Sequence, residues 1–239
     1  MKIPGIECEA DEVVVNPFSM HLSDAILAAH LADDNVSTAR PEVIAMLCRT
    51  AVAHAVFALE AAANSFIDRL PRNHRFRDQA EKWATIDKFE LWLLTAPGAP
   101  SLPKDSKIVK RLRTLIKLRD RHVHPRASRF TIKESKTEGI QISIQWPTAH
   151  DLEIPPVLLG LTPANAATAI GVVIDFLRLF SELSGLSETQ FRNHLMGHMV
   201  CRDGKREMDI GNFARILRLA SSLGLNIDFM ISPASPSNK

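Results

Sequence analysis

Apolar positions recur along most of this chain with the 3.6-residue period of a helix, not the two-residue period of a strand. Residues 18–33, "FSMHLSDAILAAHLAD", carry that period through a short helix. Pro41 and Glu42 open a long helix that runs to about Leu70. Pro71 stops it, because proline lacks the backbone N–H that a helix interior needs. This second helix is apolar nearly all round, with Val43, Ile44, Met46, Leu47, Val52, Val56, Phe57, Leu59, Phe66 and Ile67. A helix without a broad polar face belongs at the centre of a core. Trp83, Ile86, Phe89 or Glu90, and Leu93 predict a third helix over 77–94. "TAPGAPSLPKDS" breaks the pattern as loop, and a fourth helix follows over 106–123.

The period then changes. "RFTIKE" and "IQISIQW" alternate apolar and polar residues around "SKTEG", which predicts a β-hairpin at about 129–146. Thr162 as N-cap and Pro163 at the first helical position open a fifth helix over 163–184. "SETQ" at 187–190 has the form of a capping box and opens a sixth. Asp209 is placed to cap a last helix, in which Phe213, Ile216, Leu217, Ala220 and Leu223 share one face. The polar tail "SPASPSNK" predicts disorder. The fold class is therefore mainly α, a helical bundle with a small β-hairpin insertion. Residues 1–184 form the bundle, 185–230 a C-terminal helical extension packed on it, and 231–239 the tail.

Composition narrows the setting more than the activity. The chain has 239 residues, 46% hydrophobic and 23% charged, as an ordinary globular protein does. A net charge of +2 is too mild to require a nucleic-acid partner, so any basic surface must be local. Cys8, Cys48 and Cys201 are odd in number and widely spaced. They offer neither metal-ligand spacing nor a disulfide framework and suit a reducing cytosol. "MKIPGIECEADEVVV" lacks the apolar core of a signal peptide. "AVAHAVFALEAAA" and "AIGVVIDFLRLF" read as too short or too interrupted to span a bilayer. The expectation is a soluble cytoplasmic protein with no membrane partner.

The fourth helix ends in a concentration of charge, "KLRDRHVHPR" at 117–126. On a helical wheel Ile108, Leu112, Leu115, Ile116 and Val123 form an apolar stripe, and Arg119 falls near its centre. Lys107, Lys110, Arg111, Lys117 and Arg121 gather on the other side, either as a solvated face or as a track for phosphates. Together with Arg126 they are the candidate RNA-binding residues. An arginine aimed into a buried stripe must be paired or must serve a ligand. Pro125 pushes His124 out of helical geometry, which leaves Arg119, Asp120 and His124 together near a helix end.

This run, Arg119, Asp120, three residues, then His124, resembles the motif of the HEPN superfamily. There an arginine is followed by a polar residue and then by a histidine four to six positions after the arginine. The stretch "AVFALEAAANSFID" is similar to the alanine-rich helix many members carry. The resemblance spans about 42–184, though its specific part is a handful of residues. It implies a helical bundle and a metal-independent ribonuclease without cofactor, with Arg119, Asp120 and His124 catalytic. Members include toxins of toxin–antitoxin pairs and RNA-guided defence effectors, so an antitoxin or regulatory partner is also implied. In some toxins a tyrosine stands two residues after the histidine. Here that position is Arg126, and the chain has no tyrosine. Three other Arg/His pairs have similar spacing. Arg49/His54 and Arg69/His74 lack a matching polar residue after the arginine, whereas Arg192–Asn193…His198 stays in competition.

Glu60 and Asn64, four apart, are neighbours on one line of the long apolar helix. Either they form a buried hydrogen-bonded pair that serves packing, or Glu60 fixes the Arg119 guanidinium across the bundle. His194 and His198 have the spacing to share a metal, but no zincin-type glutamate and no third ligand accompany them, so no metal is expected.

RNA supplies its own nucleophile, the 2′-OH. Cleavage needs a base for that proton, an acid for the departing 5′-oxygen, and positive charge on the phosphate. Histidine suits the proton transfers near neutral pH, and arginine suits bidentate contact with phosphate oxygens. One Arg/His pair is half of such a set. HEPN proteins complete it by dimerising, so the resemblance implies a homodimer and 2′,3′-cyclic phosphate products. Two alternatives stay open: a non-catalytic HEPN module that binds RNA or nucleotide, and a helical protein-interaction domain in which Arg119 is an internal salt-bridge partner.

Overall fold

A long apolar helix needs partners on several sides, and the structure, a computed structural model, supplies them. It describes residues 12–14, 16–70, 77–96, 98–123, 131–135, 141–145, 151–155, 160–196, 198–202, 205–209 and 214–231. Among these are seven α-helices of nine residues or more and one single-turn helix. They are α1 (Phe18–Asp34), α2 (Pro41–Asp68), the single turn α3 (Arg77–Ala80), α4 (Thr85–Thr95), α5 (Lys107–Val123), α6 (Pro163–Leu183), α7 (Glu188–Met196) and α8 (Ala214–Ser222). The protein is mainly helical.

α2 is the hub, with α1, α4, α5, α6 and α7 all packing on it. It buries Ala51, Ala55, Ala58 and Ala62, and α1 buries Ala25, Ala28, Ala29 and Ala32. Side chains this small let helix axes approach closely. At the other end of α2, five fully buried phenylalanines join four helices: Phe66, Phe89, Phe176, Phe180 and Phe191. Ring centroids lie 4.9 Å apart for Phe66 and Phe180, 4.7 Å for Phe89 and Phe180, and 5.0 Å for Phe89 and Phe176. These pairs meet edge to face, each stabilising by about 1 kcal/mol beyond the area it buries.

Local chemistry sets the helix boundaries. Pro41 occupies the first turn of α2. The Ser106 hydroxyl accepts the Val109 N–H at 3.3 Å and caps α5. Thr162 and Asn165 form a reciprocal capping box on α6. Ser187 and Gln190 do the same for α7, at 2.9 and 3.3 Å. Beyond α6, Gly185 takes the left-handed backbone (φ 67°) that glycine adopts without strain.

The structure departs from the sequence reading in three places. The helix expected over 77–94 is broken. α3 ends at Ala80, the chain turns, and Ala84 is extended (φ −62°, ψ 148°) before α4 begins. No residue between Gln79 and Thr85 is a helix breaker, so the cause is tertiary. α3 and α4 both pack on α2, Ala80 is buried with Ile67, Leu70 and Leu91, and Trp83 is left at the surface. The C-terminal region is not helical throughout either. The backbone of His198–Arg202 pairs antiparallel with that of Lys205–Asp209 and with that of Glu12–Val14. Asp209 thus ends an extended segment, α8 is described over Ala214–Ser222, and the residues between them lie outside the described residues. Lastly, α2 has the length and composition of a membrane-spanning helix, its most apolar 18-residue window having a mean hydropathy of 1.6, where the sequence reading took the apolar runs as too short or too interrupted. Half of its most apolar window is buried inside the protein, as in a core helix.

The backbones of Thr131–Ser135 and Gln141–Gln145 also pair antiparallel, with Ile132 opposite Ile144. The residues joining them, Phe213 and the tail expected to be disordered lie outside the described residues.

Candidate functional site

α5 carries the charged face on a firmly buried back. Val109, Leu112, Leu115 and Leu118 are buried, and Ile108 and Ile116 are half-buried against the same core. The buried line therefore includes Val109 and Leu118, which the wheel reading left out. Arg119 lies beside this line, with its side chain only 13% exposed.

The Arg119 guanidinium is held from three directions. It forms an ion pair with Glu60 of α2. Its Nη1 lies 3.2 Å from Asp120 Oδ1. Its Cζ sits 5.5 Å from the centre of the Phe57 ring. Phe57 and Glu60 are three apart on α2 and so share a face. The Arg119 Nε is buried with no hydrogen-bond partner among the described residues. A half-buried pair of this kind is costly to break from one side, because the remaining charge loses its counterion.

Asn64 does something else. It is exposed and accepts a hydrogen bond from Lys88 Nζ at 2.6 Å. Lys88 itself is buried, and burial lowers its pKa. Glu60 and Asn64 thus share a line of α2 but serve different partners, Arg119 and Lys88, and not each other.

His124 and Arg126 lie outside the described residues. Lys107, Lys110, Lys117 and Arg121 are exposed, and Lys110 is 3.9 Å from Asp105. Arg111 is half-buried and donates to the Asp151 carbonyl at 3.2 Å. The basic face of α5 is therefore open along most of its length, with Arg111 tied to the following segment.

The competing arginine has a different setting. Arg192 pairs with Glu188 and donates to the carbonyls of Phe229 and Asp228 at 3.3 Å each. It holds the 3-10 turn Asp228–Met230 against α7. His194 belongs to the core: its ring stacks on Phe66 at 5.3 Å, and its Nδ1 lies 2.6 Å from the Gln190 carbonyl. A carbonyl only accepts, so Nδ1 carries the proton. Burial, with Arg69 nearby, pushes the His194 pKa down to about 4. The backbone around His194 is also latched to α2. Asn16 Nδ2 donates to the His194 and Leu195 carbonyls at 2.9 Å each, and the Ser65 hydroxyl donates to the His194 carbonyl at 2.5 Å.

One cluster escaped the sequence reading. His21 Nδ1 lies 3.3 Å from His54 Nδ1, and His54 Nδ1 lies 3.4 Å from Asp24 Oδ2. Both imidazoles pack on Phe57, at 5.6 and 5.8 Å. The three-residue step from His21 to Asp24 puts them on one face of α1, but nothing local announces that His54 faces them.

Compared with family models, with curated proteins and with solved structures, the chain matches none of them.

Proposed function

We propose that this protein is a metal-independent, cytoplasmic endoribonuclease of HEPN type, a toxin or defence effector working as a homodimer. In this reading the helices form a HEPN-like bundle into which the paired segments at 131–145 are inserted. Arg119 and His124 carry the chemistry, Asp120 positions the arginine, and the exposed lysines of α5 bind the RNA backbone. The observation that carries the reading is Arg119, an arginine held inside a helical bundle by Glu60 and Asp120 at the end of an open basic face. A guanidinium has five N–H donors, so donors are left for phosphate oxygens after both carboxylates are engaged. His124 takes the 2′-OH proton in one protomer, and its counterpart protonates the leaving 5′-oxygen.

The low exposure of Arg119 favours a second reading, in which the Glu60 pair is structural and the protein is a helical interaction domain. A third keeps the basic face as a non-catalytic RNA- or nucleotide-binding module. Labelled RNA incubated with pure protein in EDTA separates the three. The ribonuclease reading expects cleavage that persists in EDTA and is absent on 2′-deoxy substrate. His124→Ala should lower the rate by about 10²–10⁴, and Arg119→Ala by about 10²–10³ in a protein whose folding is verified by circular dichroism. His198→Ala should leave it unchanged. Loss of cleavage with His198→Ala but not with His124→Ala would move the site to Arg192/His198. RNA binding without cleavage supports the binding module, and neither activity supports the structural reading. Light scattering that gives a monomer at micromolar concentration would remove the shared-cleft mechanism.

A further inference from the structure

We propose that His21, Asp24 and His54 form a binding site for a divalent transition metal of the zinc class, at the crossing of α1 and α2. It is separate from the cleavage chemistry above, which uses no metal.

Without a cation these three side chains compete for one another. Two imidazole nitrogens and a carboxylate oxygen converge within 4.8 Å. His54 Nδ1 faces both of the others, at 3.3 and 3.4 Å. With neutral imidazoles a single proton on His54 Nδ1 can serve only one of those two acceptors well. The other electron pair then faces the cluster unsatisfied. A cation at the centre satisfies all three.

The distances suit one. Donors about 2.0–2.1 Å from zinc, spread at tetrahedral angles, stand about 3.3–3.4 Å apart. The two distances from His54 Nδ1 have that value, and His21 and Asp24 lie within 4.8 Å of each other. Two nitrogens and one oxygen select zinc, cobalt or nickel over magnesium and calcium, which take oxygen shells. Phe57, packed on both rings, fixes their planes as an outer shell does. Asp24 is half-exposed, so the fourth position opens to water. Three protein ligands plus one solvent ligand is the arrangement of an accessible zinc site.

The test uses the full-length protein stripped with chelator and titrated with Co²⁺, and with Zn²⁺ by calorimetry. About one equivalent should bind, with the intense visible bands of four-coordinate cobalt and no sulfur-to-metal charge-transfer band. Asp24→Asn should weaken binding at least about tenfold, since even outer-shell changes cost 10–100-fold. His21→Ala and His54→Ala should abolish it. His30→Ala, which removes the His30–Asp34 pair elsewhere on α1, should change nothing. If a histidine variant does not fold, Asp24→Asn decides, because its side chain is largely in solvent. Absence of stoichiometric binding overturns the site, and so does affinity unchanged by Asp24→Asn. RNA cleavage in EDTA is read separately, so failure of either proposal leaves the other standing.

Discussion

Acid should unfold this protein partly through one histidine. His194 is neutral in the fold, with its pKa pushed from the ordinary 6.5 to about 4 by burial and by Arg69. Between those values the unfolded chain binds a proton at this ring and the folded chain does not. Stability therefore falls as pH drops through that window. At about 1.4 kcal/mol per pH unit the full effect is about 3 kcal/mol, and about 2 kcal/mol is expected at pH 4.5 after allowing for partial solvent access. The perturbation is His194→Phe. It keeps an aromatic ring on Phe66 and removes the titration, at a cost of about 1 kcal/mol at neutral pH for the lost bond to Gln190. Urea unfolding followed by circular dichroism at pH 7 and pH 4.5 measures both proteins. With a slope of about 2–3 kcal/mol per M, the unmodified protein's midpoint should fall by about 1 M more than the variant's. The comparison between proteins matters because other groups titrate too. Asp68, whose pKa is raised chiefly by burial, contributes with the opposite sign. Equal midpoint shifts in the two proteins would refute the account of His194 as a buried neutral ring.

The Glu60–Arg119 pair should show up in a double-mutant cycle. Glu60→Gln and Arg119→Met should each cost about 1–3 kcal/mol, and the double variant less than their sum by at least about 1 kcal/mol. Additive losses in urea unfolding would mean the two groups do not interact. Thr162→Ala removes the hydroxyl that accepts the Asn165 N–H and should destabilise by about 1 kcal/mol. An unchanged urea midpoint would show that this cap contributes nothing.

What could be read from the sequence was local. Pro41, Thr162–Asn165 and Ser187–Gln190 mark helix starts because a cap satisfies N–H groups only a few residues away. Arg119 stood out for a similar reason, as a charge among residues whose period assigns them to the core. The break before α4 was invisible because its cause is α2, not any residue within 81–84. The extended pairing between His198 and Asp209 had a signal in Asp203–Gly204, a favoured hairpin pair. Its other partner, Glu12–Val14, is far away in the sequence.

The site divided along the same line. That Glu60 meets Arg119 was one of two readings the spacing left open, and only the packing of α5 on α2 selects between them. Asn64 went to Lys88, a residue on a different helix that no spacing rule connects to it. His21, Asp24 and His54 stayed unseen because their closeness depends on how α1 crosses α2. Val109 and Leu118 were missed on α5 because a real helix buries a band wider than a single line of the wheel.

α2 also works as a ruler. His54, Phe57 and Glu60 lie at steps of three along it, so about 9 Å of helix separates the histidine cluster from the arginine's counterion. Phe57 stands between them in sequence and touches both neighbourhoods. Because a helix cannot stretch, exchanging side chains can retune either neighbourhood but cannot change the distance between them. Only adding or deleting a residue would do that, and each such step would also swing everything beyond it by about 100°. The two neighbourhoods are therefore tied to a common length of chain that no exchange of side chains along α2 can alter.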